Sequence, residues 1–248
     1  MMNTRLARPS RIVDINRIPE LDYIRETGDT IAIGALARHA AVKSSPLIAA
    51  HLPVMVAAYE WVAHAAIRNR GTLCGNLCHA DPASEMPAVT QVLGAEMVLN
   101  RASGTRRVPA TDFFTGMYEV AAAPEEMLTE LRIPKPLSGT GWGFEEASMR
   151  KGDFAWVTVV AMLRLADGHI AAPAVAATGL GERSVRLEVV ERALDGAVPD
   201  AVRVEALARE VASTLDPPSS PSVDPQYRRD LFATLLPRVI AAAVRRAR

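Results

Sequence analysis

The spacing of apolar positions changes several times along the chain, and each change marks an element. RIVDINRI (Arg11–Ile18) alternates β-branched apolar residues with polar ones, the period of two that puts one face of a strand on a core, and Pro19 ends it. TIAIGAL (Thr30–Leu36) repeats the pattern after a Gly28-Asp29 turn. From Ala37 to Ile67 the spacing turns helical and predicts a short helix and a longer one, with Ser45 as N-cap and Pro46 at the first helical position. Pro53 should break or kink the longer helix, because it has no N–H to bond the preceding turn. The run GTLCGNLCHADPA predicts a loop. The helix MPAVTQVLG is expected to begin near Ser84 or Glu85, which keeps Pro87 in its first turn, and to end at Gly94. AEMVLN and TRRVPA predict a hairpin, ATDFFTG a connector, and EMLTELRIP a strand stopped by Pro134 and Pro136.

KPLSGTGWG has the composition of a linker. Beyond it FEEASMR, FAWVTVVAMLRLA, HIAAPAVAATGL and SVRL predict consecutive strands, one turn being Asp167-Gly168. Three helical patterns follow, LEVVERALDG, DAVRVEALAREVASTL and PQYRRDLFATLLPRVIAAAVRRAR, with the proline-rich surface loop DPPSSPSVDP before the last. Strands followed by helices argue an α+β second domain.

Composition narrows the partners. The 248 residues suffice for two modest domains. The 28 basic and 28 acidic residues cancel, so no overall field draws the chain to nucleic acid or a membrane surface. No apolar run reaches the roughly 18–20 residues of a membrane span, and MMNTRLARPS has no signal-peptide apolar region. A cytoplasmic address is expected. Two cysteines do not make a disulfide framework.

The chemistry concentrates in GTLCGNLCHADPASE, Gly71 to Glu85. Cys74, Cys78 and His79 supply three metal-type ligands, but a closed zinc site needs four and no second pair exists; the alternative is that both cysteines are small packing residues. No nucleophile elbow, P-loop or dinucleotide fingerprint is present. Gly71 and Gly75 let backbone N–H groups approach an anion closely, Asn76 tolerates left-handed geometry, and a helix starting near Glu85 points its positive end the same way. Asp81 and Glu85 would repel phosphate but suit sugar hydroxyls. A nucleotide carrying a polyol or ribose satisfies this mixture, and so does an ordinary loop before a helix.

IRNRGTLCGNLCHADPASEMPAV closely resembles the flavin-wrapping signature of the FAD-binding medium subunits of the xanthine dehydrogenase and carbon monoxide dehydrogenase family of molybdenum hydroxylases. The resemblance continues through PSRIVDINRIPEL, TIAIGAL, LTELRIP and FEEASMRKGDFAWVTVVAML. It implies an α+β fold with an FAD-binding domain of the PCMH type over 1–136 and a smaller sheet-plus-helices domain of the carbon monoxide dehydrogenase flavoprotein C-terminal type over 140–244. It implies FAD as cofactor, with Gly71, Thr72, Leu73, Cys74, Gly75 and Asn76 along the diphosphate and ribitol. Asp81 and Glu85 would lie at sugar hydroxyls and Leu128 near the isoalloxazine. No side chain is implied to be catalytic. Electrons would come from a molybdenum-cofactor large subunit through a 2Fe-2S small subunit and leave to NAD, quinone or oxygen.

Three departures from the family pattern stand out. Cys74 replaces a usual glycine, which fits if its φ is negative and its side chain turns to the core. A lysine common near Glu145 or Glu146 is replaced by carboxylate, which would lower the potential of a flavin beside it. The family's preceding β-α-β segment, with a second Gly-rich loop, has no counterpart before Met1. The resemblance therefore implies either a misassigned start, with Met1 or Met2 internal to a longer chain, or a domain truncated at its N-terminus; with the truncation come exposed apolar surface around Ile12, Val13 and Ile31 and, as the alternative function, a cofactor-poor assembly or docking subunit.

Overall fold

The computed structural model describes residues 2, 5 and 7–247. Its first half is built on a five-stranded antiparallel sheet. The hairpin β1 (Ile24–Thr27) and β2 (Thr30–Gly34) turns through Gly28-Asp29, Thr27 pairing with Thr30. Four short helices follow, α1 (His39–Ser44), α2 (Pro46–His51), α3 (Pro53–Ala58) and α4 (Ala65–Arg68). Ser45 caps α2 by accepting from the Ile48 N–H at 3.4 Å, and Pro53 starts α3 after α2 has ended at His51. Helices α5 (Leu73–His79) and α6 (Glu85–Val92) lead to the hairpin β3 (Glu96–Arg101) and β4 (Gly104–Pro109). Then come α7 (Ala110–Phe113), the small ribbon β5 (Phe114–Gly116) and β6 (Glu119–Val120), and β7 (Met127–Pro134). β7 is the centre of the sheet, whose order is β1-β2-β7-β3-β4.

The second half begins with β8 (Gly141–Ser148), β9 (Ala155–Ala166), β10 (His169–Thr178) and β11 (Val185–Arg186), in the antiparallel order β11-β10-β9-β8. Helices α8 (Glu188–Leu194), α9 (Ala201–Thr214) and α10 (Pro225–Arg246) complete it. Alternation along β9 divides two cores, as a strand buried on both faces requires. Val157, Val159, Ala161 and Leu163 pack with α8–α10, whereas Val160 and Met162 join Ile31, Leu73, Met86 and Leu131 in the core of the first half. The two units thus share an apolar seam, with α6 laid on the second sheet.

Four expectations are corrected. Arg11–Ile18 is not a strand: its first residues are unpaired and Pro19–Leu21 forms a single 3-10 turn. The sheet edge it could have joined is taken by β1, a polar IRET segment without an alternation signal. Ile12 and Val13 are indeed exposed, at 70% and 73%, but Ile31 is fully buried because β1 and β7 flank β2. The predicted loop GTLCGNLCHADPA contains α5, whose Leu73, Cys74 and Leu77 bury one face at helical spacing. The glycines of KPLSGTGWG do not make a linker throughout. Gly141 and Gly143 open β8, where a Cβ on either would overlap the backbone of α10 at Ala243 or Val239.

Candidate functional site

The cleft that brings the predicted residues together opens beside the N-terminal turn of α5. It encloses about 470 Å³, and Ala35, Leu36, Thr72, Cys74, Gly75 and Leu128 line it. Long-range backbone bonds fix this wall. The His39 N–H donates to the Gly71 carbonyl at 3.0 Å, the Leu73 N–H donates to the Ala37 carbonyl at 3.2 Å, and Arg38 bridges Thr72. Gly71 lies against the buried His39 ring, where a Cβ would stand 3.1 Å from Cδ2. His39 Nδ1 faces the Tyr59 hydroxyl at 3.0 Å, and burial, with the Arg68 charge, pulls its pKa down to about 4.

Thr72 is the N-cap of α5: its Oγ1 accepts the Gly75 N–H at 3.1 Å, leaving the hydroxyl proton to be donated elsewhere. Gly75 is exposed on the cleft wall, and a Cβ there would sit 2.8 Å from that same oxygen. Cys74 has negative φ and turns inward, its Sγ 3.9 Å from the carbonyls of Ile33 and Gly34. Burial pushes its thiol far above the ordinary range. Cys78, one turn on, is an exposed residue that lines the same cleft as Cys74, and burial raises its thiol pKa to about 11. Among the described residues no group of three or more His, Cys, Asp or Glu is arranged to hold a metal ion.

The remaining predicted residues continue from the cleft toward the seam. The Asn76 amide and the Ser84 hydroxyl exchange hydrogen bonds at 3.0 and 3.1 Å. Asp81 accepts from the Ala83 N–H at 2.9 Å and the Tyr118 hydroxyl at 3.3 Å. Tyr118 and Ala80 both hold positive φ and are joined by a Tyr118 N–H to Ala80 carbonyl bond. Glu85, 5% exposed at the start of α6, is not a cleft-lining residue; burial first, then the Asp81 charge, raises its pKa to about 7. Glu146 on β8 is equally buried and is raised to about 8 by burial and by Glu85.

Other lining residues were missed from sequence. Asn16, Arg38, Val120, Ala122, Glu126 and Met127 all reach the cleft. Arg38 donates to Asn16 Oδ1 and to the Arg70 carbonyl, tying the segment before β1 to the α5 wall. Only the fold brings these residues together, so no local spacing could have signalled them. The Glu126 carboxylate is held by the Arg106 fork at 2.7 Å and by the Ala123 N–H at 2.9 Å.

Two antiparallel sheets with their helices share an apolar seam, and an apolar cleft walled by the Gly-bearing capped turn of α5 opens in the first half. The matches to known proteins say which class of protein has this arrangement. Residues 1–136 match the family described as the FAD binding domain in molybdopterin dehydrogenase, and 142–243 match the CO dehydrogenase flavoprotein C-terminal domain. The chain belongs to this family of FAD-binding medium subunits; FAD is its cofactor, and it is an oxidoreductase subunit. It is 36% identical to the caffeine dehydrogenase subunit beta of Pseudomonas sp. (strain CBB1), over 99% of this chain and 84% of that one. It is 32% identical to the carbon monoxide dehydrogenase medium chain of Hydrogenophaga pseudoflava, over 98% of this chain and 85% of that one. A solved structure of the carbon monoxide dehydrogenase of that organism, lacking the Mo-pyranopterin moiety of its cofactor, superposes with a TM-score of 0.95 at 34% identity, covering 99% of this chain and 86% of that one. No helix among the described residues is long and apolar enough to cross a membrane.

Proposed function

We propose that this chain carries FAD as the electron-transfer subunit of a cytoplasmic molybdenum hydroxylase. Its partners would be a molybdenum-cofactor large subunit and a 2Fe-2S small subunit, and NAD, quinone or oxygen would be the external acceptor. The observation that carries the reading is the convergence of Thr72, Cys74, Gly75 and Leu128 on one cleft. The medium-chain relatives support the assignment of partners.

The cleft suits the cofactor chemically. The wall at Thr72–Asn76 bears no acidic side chain, the missing Cβ of Gly75 leaves room for close approach, and Ala35, Leu36 and Leu128 give an apolar surface. Glu126, the acid on the rim, has its charge engaged by Arg106. In this reading the Cys74 N–H and the free hydroxyl proton of Thr72 hold the diphosphate and ribitol, while Gly71, Leu73 and Asn76, whose N–H groups are bonded to the Ile67, Ala37 and Thr72 carbonyls, fix the shape of the turn. Leu128 packs near the isoalloxazine, whereas Asp81 and Glu85 are buried and line no part of this cleft, so the sugar hydroxyls are not assigned to them. FAD, when bound, supplies the redox chemistry, and the protein orients it and tunes its potential. We place the FAD-binding unit at 1–136 and the second unit at 140–244, with the join in the stretch before β8.

The test is anaerobic addition of the complex's own substrate to the complex isolated with its partners. Bleaching of the flavin absorbance at the rate of substrate oxidation upholds electron flow through this subunit. A flavin that stays oxidised while substrate is consumed overturns it.

A further inference from the structure

Two of the residues that line the cleft carry a charge, Glu126 and Arg38, and their surroundings treat the two charges differently. Glu126 is fully engaged. Its carboxylate oxygens take N–H groups from the Arg106 fork at 2.7 Å, one of them also takes the Ala123 N–H at 2.9 Å, and the side chain is only 2% exposed. Arg38 meets neutral oxygens instead, the Arg70 carbonyl and Asn16 Oδ1. Among the described residues no carboxylate lies within 4.0 Å of its guanidinium. Asp14 feels the Arg38 charge as the weakest of its influences, and Asp14 Oδ1 is occupied by the backbone and side-chain N–H groups of Asn16.

Backbone pairing fixes the place of this cation. Arg38 is the extended N-cap of α1 and forms an antiparallel bridge with Thr72, flanked by the His39 N–H to Gly71 carbonyl bond and the Leu73 N–H to Ala37 carbonyl bond. The residue opposite it is therefore the cap of α5 with the free hydroxyl proton, two residues before the Cys74 N–H. A guanidinium has more N–H groups than its two tethers use, and its planar fork matches phosphate oxygens. The Thr72 and Cys74 donors are neutral, so by themselves they leave an anion's charge unbalanced against apolar walls, which is costly. We propose that Arg38 binds the diphosphate of FAD, supplying the positive charge that this wall otherwise lacks, while Asn16 and the Arg70 carbonyl hold the guanidinium in place. The proposal rests on the flavin reading of the cleft. A lysine at this position would keep the charge but lose the fork.

The experiment is fluorescence titration of the flavin-free full chain with FAD and with riboflavin, which has the ring and ribitol but no diphosphate, at low and high potassium chloride. Arg38→Gln keeps a side chain that can hydrogen-bond and removes the charge. It should weaken FAD at least about tenfold, leave riboflavin within about twofold of the parent, and flatten the fall of FAD affinity with salt that the parent shows. Arg38→Lys should keep that salt dependence and lose less affinity. Asn16→Ala loosens one tether without touching the charge and should also keep the salt dependence, which leaves the proposal testable if Arg38→Gln does not fold; Tm without flavin reports folding for each variant. Equal weakening of FAD and riboflavin means that Arg38 only ties segments together and overturns the proposal. So does FAD affinity in the parent that does not respond to salt. Unchanged FAD affinity in Arg38→Gln refutes this proposal and leaves the flavin reading standing, whereas a parent that binds neither flavin refutes both.

Discussion

Gly75→Ala separates folding from cofactor binding at the α5 wall. Two stability effects oppose each other. Replacing a helical glycine by alanine gains about 0.8–1 kcal/mol. The new methyl, however, meets Thr72 Oγ1 at 2.8 Å and displaces the cap that accepts the Gly75 N–H, and loss of a threonine cap costs about 1 kcal/mol. The net change in unfolding free energy should stay within about 1 kcal/mol of zero. The same methyl stands on the exposed cleft wall, where a cofactor backbone must approach closely. FAD affinity should therefore fall at least about tenfold, equivalent to about 1.4 kcal/mol. Urea unfolding measures the first quantity and flavin fluorescence titration the second. Thr72→Val loses the cap without adding the methyl, and Thr72→Ser keeps it, so the pair shows how much of the effect is the cap alone. Unchanged FAD affinity in Gly75→Ala, at unchanged stability, would refute the placement of the cofactor against this turn.

Three further outcomes follow from the packing and the buried charges. His39 is held near pKa 4 in the fold against about 6.5 when unfolded, so the unfolded chain binds the extra proton between those values. Stability is complete above about pH 6.5 and should fall by roughly 2–3 kcal/mol as pH drops to 4, a slope that His39→Asn flattens in denaturant titrations. Glu146 behaves oppositely: its folded pKa of about 8 lies above the unfolded value, so stability is complete below about pH 4.5 and is lost as pH rises through 8. Glu146→Gln should be more stable than the parent at pH 9, and equal or lower stability there would contradict the burial argument. Gly143→Ala drives a Cβ into the Val239 backbone of α10 and should cost at least about 2 kcal/mol, measured by urea unfolding.

Legibility in the sequence followed the range of the interactions. The hairpin β3–β4, the strand β7 and the run β8–β11 were legible as short apolar runs bounded by turn residues and prolines, and Ser45-Pro46 announces α2 through a local cap. β1 was hidden because its IRET side chains are mostly exposed and it is held by pairing with β2 alone. α5 was hidden by two features that mimic a loop, Gly75 and Asn76, although Thr72 caps it and Leu73, Cys74 and Leu77 form its buried stripe. Gly141 and Gly143 looked like a linker because the close approach of α10 that requires them lies almost a hundred residues away in the chain. At the site, the motif carried Thr72, Gly75 and, through the family resemblance, Leu128. Arg38, Asn16 and Glu126 depended on the fold bringing three separate segments to one cleft.

The central claim, that this chain is the flavin carrier of its complex, is tested most directly by quantifying FAD released on denaturing the complex purified with its partners, before and after incubation with free FAD. One FAD per copy of this chain is the result expected. A complex that is colourless as isolated and takes up none on reconstitution would contradict it.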